Sequence, residues 1–343
     1  MRPNRSNLAV LASLLACLAF PPDAEAQDRI LPAGEGESTS VRSGSSGVAE
    51  GAAFLLLPVG ARAVGMGGAV TGMQGSGDLL LWNPAGVASM QNVNLFFNHS
   101  ETVFDTQSEV ISALFSLSTI GNLGVTYYLV DYGDLPSTGN DGTVQGNINY
   151  RNQEFLFTFA GNVVSSLKFG ISYKLVQIVF NCDGLCSGSQ SFTRTTSAFD
   201  FGLIYELSVL PIALGGSVRH LGFPIKGLTQ EDPLPTRVRI GMAWRVITPN
   251  ASNQLFGLAL AMDLEDQWRD VGNPDVLLGT EFGVGQIVFL RAGYAFIESG
   301  LGGPSLGLGV TYDWFYVDFS RGFDDVTTAT GDEAVQLSFG VTF

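Results

Sequence analysis

The chain offers few residues that could run acid–base or nucleophilic chemistry. Its only imidazoles are His99 and His220. A catalytic histidine needs a partner to activate or be oriented by. Neither residue belongs to an HExxH pair, and no GxSxG elbow occurs. A Ser–His pair on a sheet wall is the one enzymatic arrangement that His99 would suit. A lone histidine on a strand is far more often a surface residue. Gly65-Met66-Gly67-Gly68 has no βαβ unit around it, so it does not read as a dinucleotide fingerprint. The acidic groups Glu231-Asp232, Asp324-Asp325 and Asp332-Glu333 lack the ligand spacing of an EF-hand and read as solvated loop charge. We expect a non-enzyme without a cofactor.

Two cysteines, Cys182 and Cys186, lie in Asn-Cys-Asp-Gly-Leu-Cys within a Gly/Ser-rich stretch. Export to an oxidising compartment would make them a disulfide. Free thiols are the second reading. A zinc site would need two more ligands, and neither histidine is near in sequence.

Charge elsewhere is sorted by position. Lys168, Lys174, Asp200, Arg219, Arg237, Arg239, Arg245, Asp263, Glu265, Glu281, Arg291 and Asp318 all fall opposite the apolar residues of an alternating pattern. Side chains alternate faces along a strand. In a membrane barrel, charge on the lipid face costs about 2–4 kcal/mol at the midplane, so it collects in the lumen. A charged lumen could select a solute. Because both signs are present, mutual neutralisation that fills a narrow lumen is the preferred reading.

The elements that would carry these residues follow from the same alternation. At the end of the chain Val335, Leu337, Phe339, Val341 and Phe343 are apolar, with Gln336, Ser338, Gly340 and Thr342 between them. Comparable runs predict about fourteen strands, the first over Asn92–Glu101, the third over Asn122–Tyr132 and the last closing the chain. Connections after odd strands are mostly long and polar: Gly133–Tyr150, Asn181–Thr193, Gly222–Pro235, Asp266–Asn273 and Gly322–Glu333. Those after even strands are mostly short, Val246–Gln254 excepted. Barrels with short periplasmic turns and long outer loops show this parity. It places both termini in the periplasm and the cysteines outside the cell.

Composition agrees. Charged residues make up only 14% of the chain, with 43 Gly and 24 Phe. A net charge of −15 argues against nucleic acid as a partner. Beyond the N-terminus there is no apolar run of the 18 or so residues that a membrane helix needs. A barrel strand needs only about 9–11 residues.

Residues 1–26 read as a cleaved signal peptide: Arg2 and Arg5, an apolar Leu8–Phe20, then Ala24-Glu25-Ala26. Leu14-Leu15-Ala16-Cys17 is a competing lipoprotein box, with Cys17 as the lipidated residue. Residues 27–47 read as a flexible periplasmic tether. Residues 48–90 form the next unit, and 91–343 the barrel. Ala53–Met90 is apolar and Gly-rich but does not alternate. It predicts a plug packed in or under the barrel, folded back at Asn83-Pro84-Ala85-Gly86.

Here the sequence resembles a known family. Phe54-Leu55-Leu56-Leu57-Pro58-Val59-Gly60-Ala61-Arg62, Gly65-Met66-Gly67-Gly68-Ala69 and Trp82-Asn83-Pro84-Ala85-Gly86 resemble the opening of the PorV/PorQ family. Phe289-Leu290-Arg291-Ala292-Gly293-Tyr294 and Ser305-Leu306-Gly307-Leu308-Gly309-Val310 resemble its strands. A more distant resemblance links the chain to FadL-type transporters of hydrophobic compounds, which have fourteen strands and an Asn-Pro-Ala element in an N-terminal plug. The first resemblance implies an accessory outer-membrane protein that holds secreted cargo in a type IX-like system. The second implies the alternative, a passive channel for a hydrophobic small molecule. Outer-membrane barrels also resemble this chain in ending on a strand with a terminal Phe, which implies that Phe343 is read by the barrel assembly machinery. The expected partners are outer-membrane lipid, that machinery, and either cargo or a hydrophobic molecule.

Overall fold

The computed structural model describes residues 50–343 except 103–105, 119, 140, 187–190, 227–230, 250–254, 298–301 and 324–333. The signal peptide and tether expectations, Cys17, Asp324-Asp325 and Asp332-Glu333 lie outside the described residues.

Sixteen strands follow one another: β1 Asn94–Glu101, β2 Gln107–Ser116, β3 Asn122–Thr138, β4 Val144–Val164, β5 Leu167–Gly184, β6 Phe192–Glu206, β7 Ile212–Gly222, β8 Ile225–Lys226, β9 Glu231–Asp232, β10 Arg237–Ile247, β11 Phe256–Gln267, β12 Asp275–Val284, β13 Val288–Phe296, β14 Gly303–Tyr312, β15 Phe315–Gly322 and β16 Ala334–Thr342. Fourteen of them close an antiparallel barrel, and β8 and β9 form a small separate ladder. Closure runs from Asn94 opposite Thr342 to Glu101 opposite Val335. The Phe343 amide adds a bond to the Val93 carbonyl at 3.0 Å. A closed sheet leaves no open edge for the backbone groups of its wall, as a spanning structure requires.

Burial is inverted relative to a soluble sheet. On β16, Gln336 and Ser338 are buried while Leu337 and Phe339 are exposed. Phe97, Ile111, Phe157, Leu203, Ile240 and Leu306 repeat that exposure around the barrel. An outward apolar belt over a polar inner face is the signature of a lipid-facing wall.

One rim carries the tight connections, including two-residue turns at 165–166 and 313–314, and also Asn94 and Phe343. We call it the turn mouth. The opposite rim, the loop mouth, carries the connection 223–236.

Two expectations need correction. The stretch Gly133–Tyr150 is mostly strand: β3 continues to Thr138 and β4 starts at Val144, so the hairpin rises past its neighbours. Its ladder shifts register between Asp131 and Asp134, with Gly133 in the left-handed region (φ 74°). Beyond that bulge polar pairs replace the greasy alternation, including Arg151–Asp131 at 2.7 Å and Asn149–Asp134 at 2.9 Å. Likewise β5 runs to Gly184, so Cys182 lies on a strand, opposite Ile148, and not in a loop.

Residues 50–90 occupy the lumen. They hold three short 3-10 turns (Ala53–Leu56, Gly77–Leu81, Pro84–Val87) and one short helix, α1, Ala61–Gly65. Their hydrogen bonds reach β16 (Ala61 N to Ser338 Oγ, 2.9 Å), β11 (Thr71 N to Asp263, 2.9 Å), β6 (Asn83 Nδ2 to the Leu203 carbonyl, 3.2 Å) and β3 (Asn122 Nδ2 to the Val87 carbonyl, 2.5 Å). Only a segment inside a closed wall can touch strands all around it. The hydrophobic core is therefore in the lumen, where Phe54, Met66, Leu79, Leu80 and Val87 pack against inward Leu114, Leu156 and Val176.

The segment runs lengthwise. Gly51 bonds the Pro233 carbonyl at 2.8 Å at the loop mouth, and the chain joins β1 at the turn mouth. Residue 50 and Phe343 thus sit at opposite mouths. Loop parity cannot register a segment that crosses the lumen before the first strand, and the start of the chain lies outside the described residues.

Candidate functional site: the filled lumen and its loop mouth

Wall glycines let the segment's backbone lie directly on the sheet. A Cβ at Gly293 would stand 2.0 Å from the Gly67 amide nitrogen. Gly67 itself has φ +63° and faces the Leu278 carbonyl and Tyr294 nitrogen, so both positions require glycine. The Gly-rich strand strings are seats of this kind. The turn Asn83-Pro84-Ala85-Gly86 has two more. A Cβ at Gly202 would meet Asn83 Oδ1 at 2.0 Å, and one at Gly170 would meet the Pro84 carbonyl carbon at 2.3 Å. Asn83 accepts from the Ala85 amide at 3.0 Å and donates to the Thr71 carbonyl at 2.7 Å. It caps its own turn and ties two parts of the segment together.

The inward charges are buried and paired. Lys174 lies 2.8 Å from both Glu154 and Asp200 and 3.1 Å from His220 Nδ1. Arg291 binds Glu281 at 2.7 Å and Asp318 at 2.5 Å, and Arg62 of the segment reaches the same Glu281 at 2.9 Å. Arg219 reaches Glu265 at 3.1 Å, and Arg239 pairs with both Glu265 and Asp263. The two guanidiniums also lie against the Trp82 ring, 5.2 and 4.7 Å from its centroid. Trp82 in turn donates to the Val59 carbonyl at 2.8 Å. Asp263 accepts from Val70 N, Thr71 N and Thr71 Oγ1 at 3.0, 2.9 and 2.6 Å. Wall charges therefore hold segment backbone as well as one another. Desolvated charges of this kind need partners, although Asp263 Oδ1 and Arg219 Nε are buried without a hydrogen-bond partner among the described residues.

The rims take the rest. At the loop mouth Arg237 pairs with Glu50 at 2.8 Å. At the turn mouth Lys168 pairs with Glu206 at 2.6 Å. Arg245 departs from the expected lumen set: it is 59% exposed and only 3.5 Å from Glu206. It has inward parity, but β10 ends two residues later, so it stands at the rim.

Near the loop mouth the inner wall carries an apolar and aromatic patch, crossed on β4 by inward Glu154 and Asn152. Tyr128, Val130, Val176 and Ile178 of β3 and β5 pack with Phe54 and Leu55. Phe54 and Tyr128 rings are 5.9 Å apart, and Tyr132 and Tyr150 rings 5.1 Å apart. Asn152 Nδ2 donates to Tyr132 Oη at 3.1 Å, while its Oδ1 is buried with no hydrogen-bond partner among the described residues.

Cys182 and Cys186 form a disulfide at the end of β5. His99 lies on the outward face with Nδ1 2.5 Å from Glu109. His220 is buried in the Lys174 cluster. Phe343 directly follows β16 at the turn mouth, its side chain exposed.

Several site residues went unread in the sequence. Arg62 and Asp78 are the only charged residues of Ala53–Met90, a signal strong enough to have marked them. Glu154 directly precedes Phe155 of an alternating run, so its inward parity was legible too. Glu50 and Glu206 carried no signal, because each depends on a distant partner.

No protein-family profile and no curated protein matches the chain. Solved structures do match in fold. The toluene transporter TodX of Pseudomonas putida is 14% identical, aligned over 83% of this chain and 98% of its own, with a TM-score of 0.54. The toluene transporter TbuX of Ralstonia pickettii is 11% identical over 83% and 98%, with a TM-score of 0.55. The monoaromatic hydrocarbon channel CymD is 14% identical over 84% and 98%, with a TM-score of 0.53. At these identities the likeness is one of fold.

Proposed function

We propose that the protein is a bacterial outer-membrane channel that passes hydrophobic small molecules through a lumen gated by its N-terminal segment. The observation that carries this reading is the loop mouth. Its inner wall joins Tyr128, Val130, Val176 and Ile178 to Phe54 and Leu55, the first turn of the segment that fills the barrel. An apolar patch at the mouth of a packed lumen does not suit an open aqueous pore, whose interior is polar and water-filled. It suits a ligand that leaves water for an apolar surface, as binding pockets for such ligands do. Support also comes from fold-mates described as toluene transporters and a monoaromatic hydrocarbon channel. The cargo-holding role implied by the opening motifs draws no comparable support.

The test is uptake of labelled toluene by cells with and without the protein, beside uptake of a sugar of similar mass. Expression should raise toluene entry and leave sugar entry unchanged. Tyr128→Asp, which puts charge in the mouth, should abolish the gain. Equal toluene entry with and without the protein, together with recovery of secreted proteins bound to it, would favour the cargo-holding reading.

A further inference from the structure

The barrel wall is notched at one place on the loop-mouth side. β6 pairs with β5 along its whole length, from Phe192 opposite Phe180 to Tyr205 opposite Leu167. Its pairing with β7 begins only at Ala198, opposite Gly222. The stretch Phe192–Ser197 therefore has one edge with no ladder-paired strand among the described residues. The chain leaving β7 crosses that edge once, with the Phe223 amide on the Ser197 carbonyl at 3.1 Å and Thr196 Oγ1 on the Phe223 carbonyl at 2.8 Å.

Between this edge and Phe223–Lys226 lies a cleft of about 450 Å³. Its lining contains Arg194, Lys226 and a row of hydroxyls, and no carboxylate. In a chain of net charge −15 that is a local reversal. Neither cation makes an ion pair among the described residues. Lys226 stands opposite Glu231 in the β8–β9 ladder, yet the two are not within ion-pair distance. Arg194 rests its guanidinium 5.3 Å from the Phe192 ring centroid. Thr195 Oγ1 accepts from Gln177 at 3.2 Å, so its own O–H is free to donate.

The depth of the cleft selects its ligand. Just below it Tyr173 and Phe199 face outward with rings 5.3 Å apart, and Tyr173 Oη lies 3.1 Å from Ser197 Oγ. Outward aromatic rings mark the border of the apolar band in membrane barrels. The cleft opens one step beyond that border, at headgroup level. We infer that it seats a phosphate group of an anionic lipid in the leaflet on the loop-mouth side. Outward hydroxyls at Thr193, Thr195 and Ser197, the Lys226 ammonium, and the Arg194 guanidinium, which lines the same open edge from the inner face, are donors that a phosphate ester uses. An apolar peptide strand added to the free edge would find only Phe223 and Pro224 to pack against.

The experiment uses the full-length protein in detergent and measures binding of fluorescent lipopolysaccharide, the phosphate-rich lipid of an outer leaflet. Three probes are compared: lipopolysaccharide, the same lipid dephosphorylated, and inorganic pyrophosphate. Wild type should bind the phosphorylated lipid at least tenfold more tightly than the dephosphorylated one, and more weakly as salt rises. The double variant Arg194→Gln, Lys226→Gln should lose that tenfold, while Arg194→Lys keeps most of it. If the double variant fails the heat-modifiable migration that reports a folded barrel, Lys226→Gln alone, at an exposed position, gives the same reading with a smaller loss. Equal affinity of wild type and variant, or of the two lipids, would overturn the proposal. Full competition by pyrophosphate at the lipid's own concentration would overturn it in favour of a free-anion site.

Discussion

Glu50 and Arg237 form a two-pronged ion pair, with Nη1 and Nη2 2.9 and 2.8 Å from the two carboxylate oxygens. It fixes the start of the lumen segment to the first residue of β10, at the mouth opposite Phe343. The N-terminal side of Glu50 and the C-terminus should therefore be reachable from opposite faces of the membrane. A single cysteine in place of Glu50 and another appended after Phe343, labelled in whole cells with an impermeant maleimide in a Cys182→Ser, Cys186→Ser background, test this. One site should label in intact cells and the other only after the envelope is opened. Equal labelling of both in intact cells would refute the lengthwise path.

The lumen segment should control passage. It fills the barrel from mouth to mouth, and its removal takes away most of the buried apolar side chains of the core. Deleting Ala53–Ala85 should leave an inserted barrel, because strand pairing and the closing β1–β16 seam do not involve these residues. Its single-channel conductance in planar bilayers should rise well above wild type. Unchanged low conductance in a correctly folded deletion protein would mean that the paired wall charges close the pore themselves.

Asp263 should matter far more than Arg245. Asp263 takes three hydrogen bonds from Val70 and Thr71 and faces Arg239, all without solvent. Replacing it with Ala orphans buried donors, at a cost on the order of 3 kcal/mol. The expected result is protease cleavage within the lumen segment of the folded variant, at protease levels that leave wild type intact. Arg245→Ala removes only an exposed contact, which contributes at most about 1 kcal/mol, and should leave the segment protected. Identical protection in both variants would contradict the anchoring role.

Legibility followed the physics of each element. Strands such as β16 were readable because lipid outside and polar packing inside impose a strict period of two. The inward set from Lys168 to Asp318 followed from the same parity, and only Arg245, at a strand end, escaped the rule. The upper hairpin of β3 and β4 was not readable. Beyond the bulge at Gly133 water contacts both faces, so nothing forces the side chains to alternate. The Asn83-Pro84-Ala85-Gly86 turn was visible, but its glycine seats at Gly170 and Gly202 were not, since they lie on strands more than eighty residues away. The direction of the segment was illegible for the same reason: it rests on pairs such as Gly51 with Pro233 that leave no local trace.

The disulfide should shape a hairpin and do little else. Cys182 and Cys186 are four residues apart, and a ring that small removes little unfolded-state entropy, about 2 kcal/mol at most. Free-thiol labelling of the unreduced, denatured protein should find neither cysteine reactive. The Cys182→Ser, Cys186→Ser variant should keep its heat-modifiable migration and its unfolding midpoint within a few degrees. It should gain proteolytic sensitivity only between β5 and β6. A collapse of barrel yield in that variant would show that the bond has a part in assembly.

Phe343 should be needed for insertion more than for stability once inserted. Its amide bonds the Val93 carbonyl at 3.0 Å, one step beyond the Asn94–Thr342 pair that begins the seam. Its ring is 68% exposed, so it adds little packing to the folded wall. Removing the residue costs one peripheral hydrogen bond, about 1 kcal/mol, which a closed barrel should tolerate. If the terminal aromatic is instead an assembly signal, its deletion should lower the amount of folded barrel in the membrane severalfold. Protein refolded from urea into detergent would then still reach the wild-type unfolding midpoint to within a few degrees. Membrane levels equal to wild type would remove the signal role. A refolded variant that cannot close would move the role of Phe343 from recognition to the seam itself.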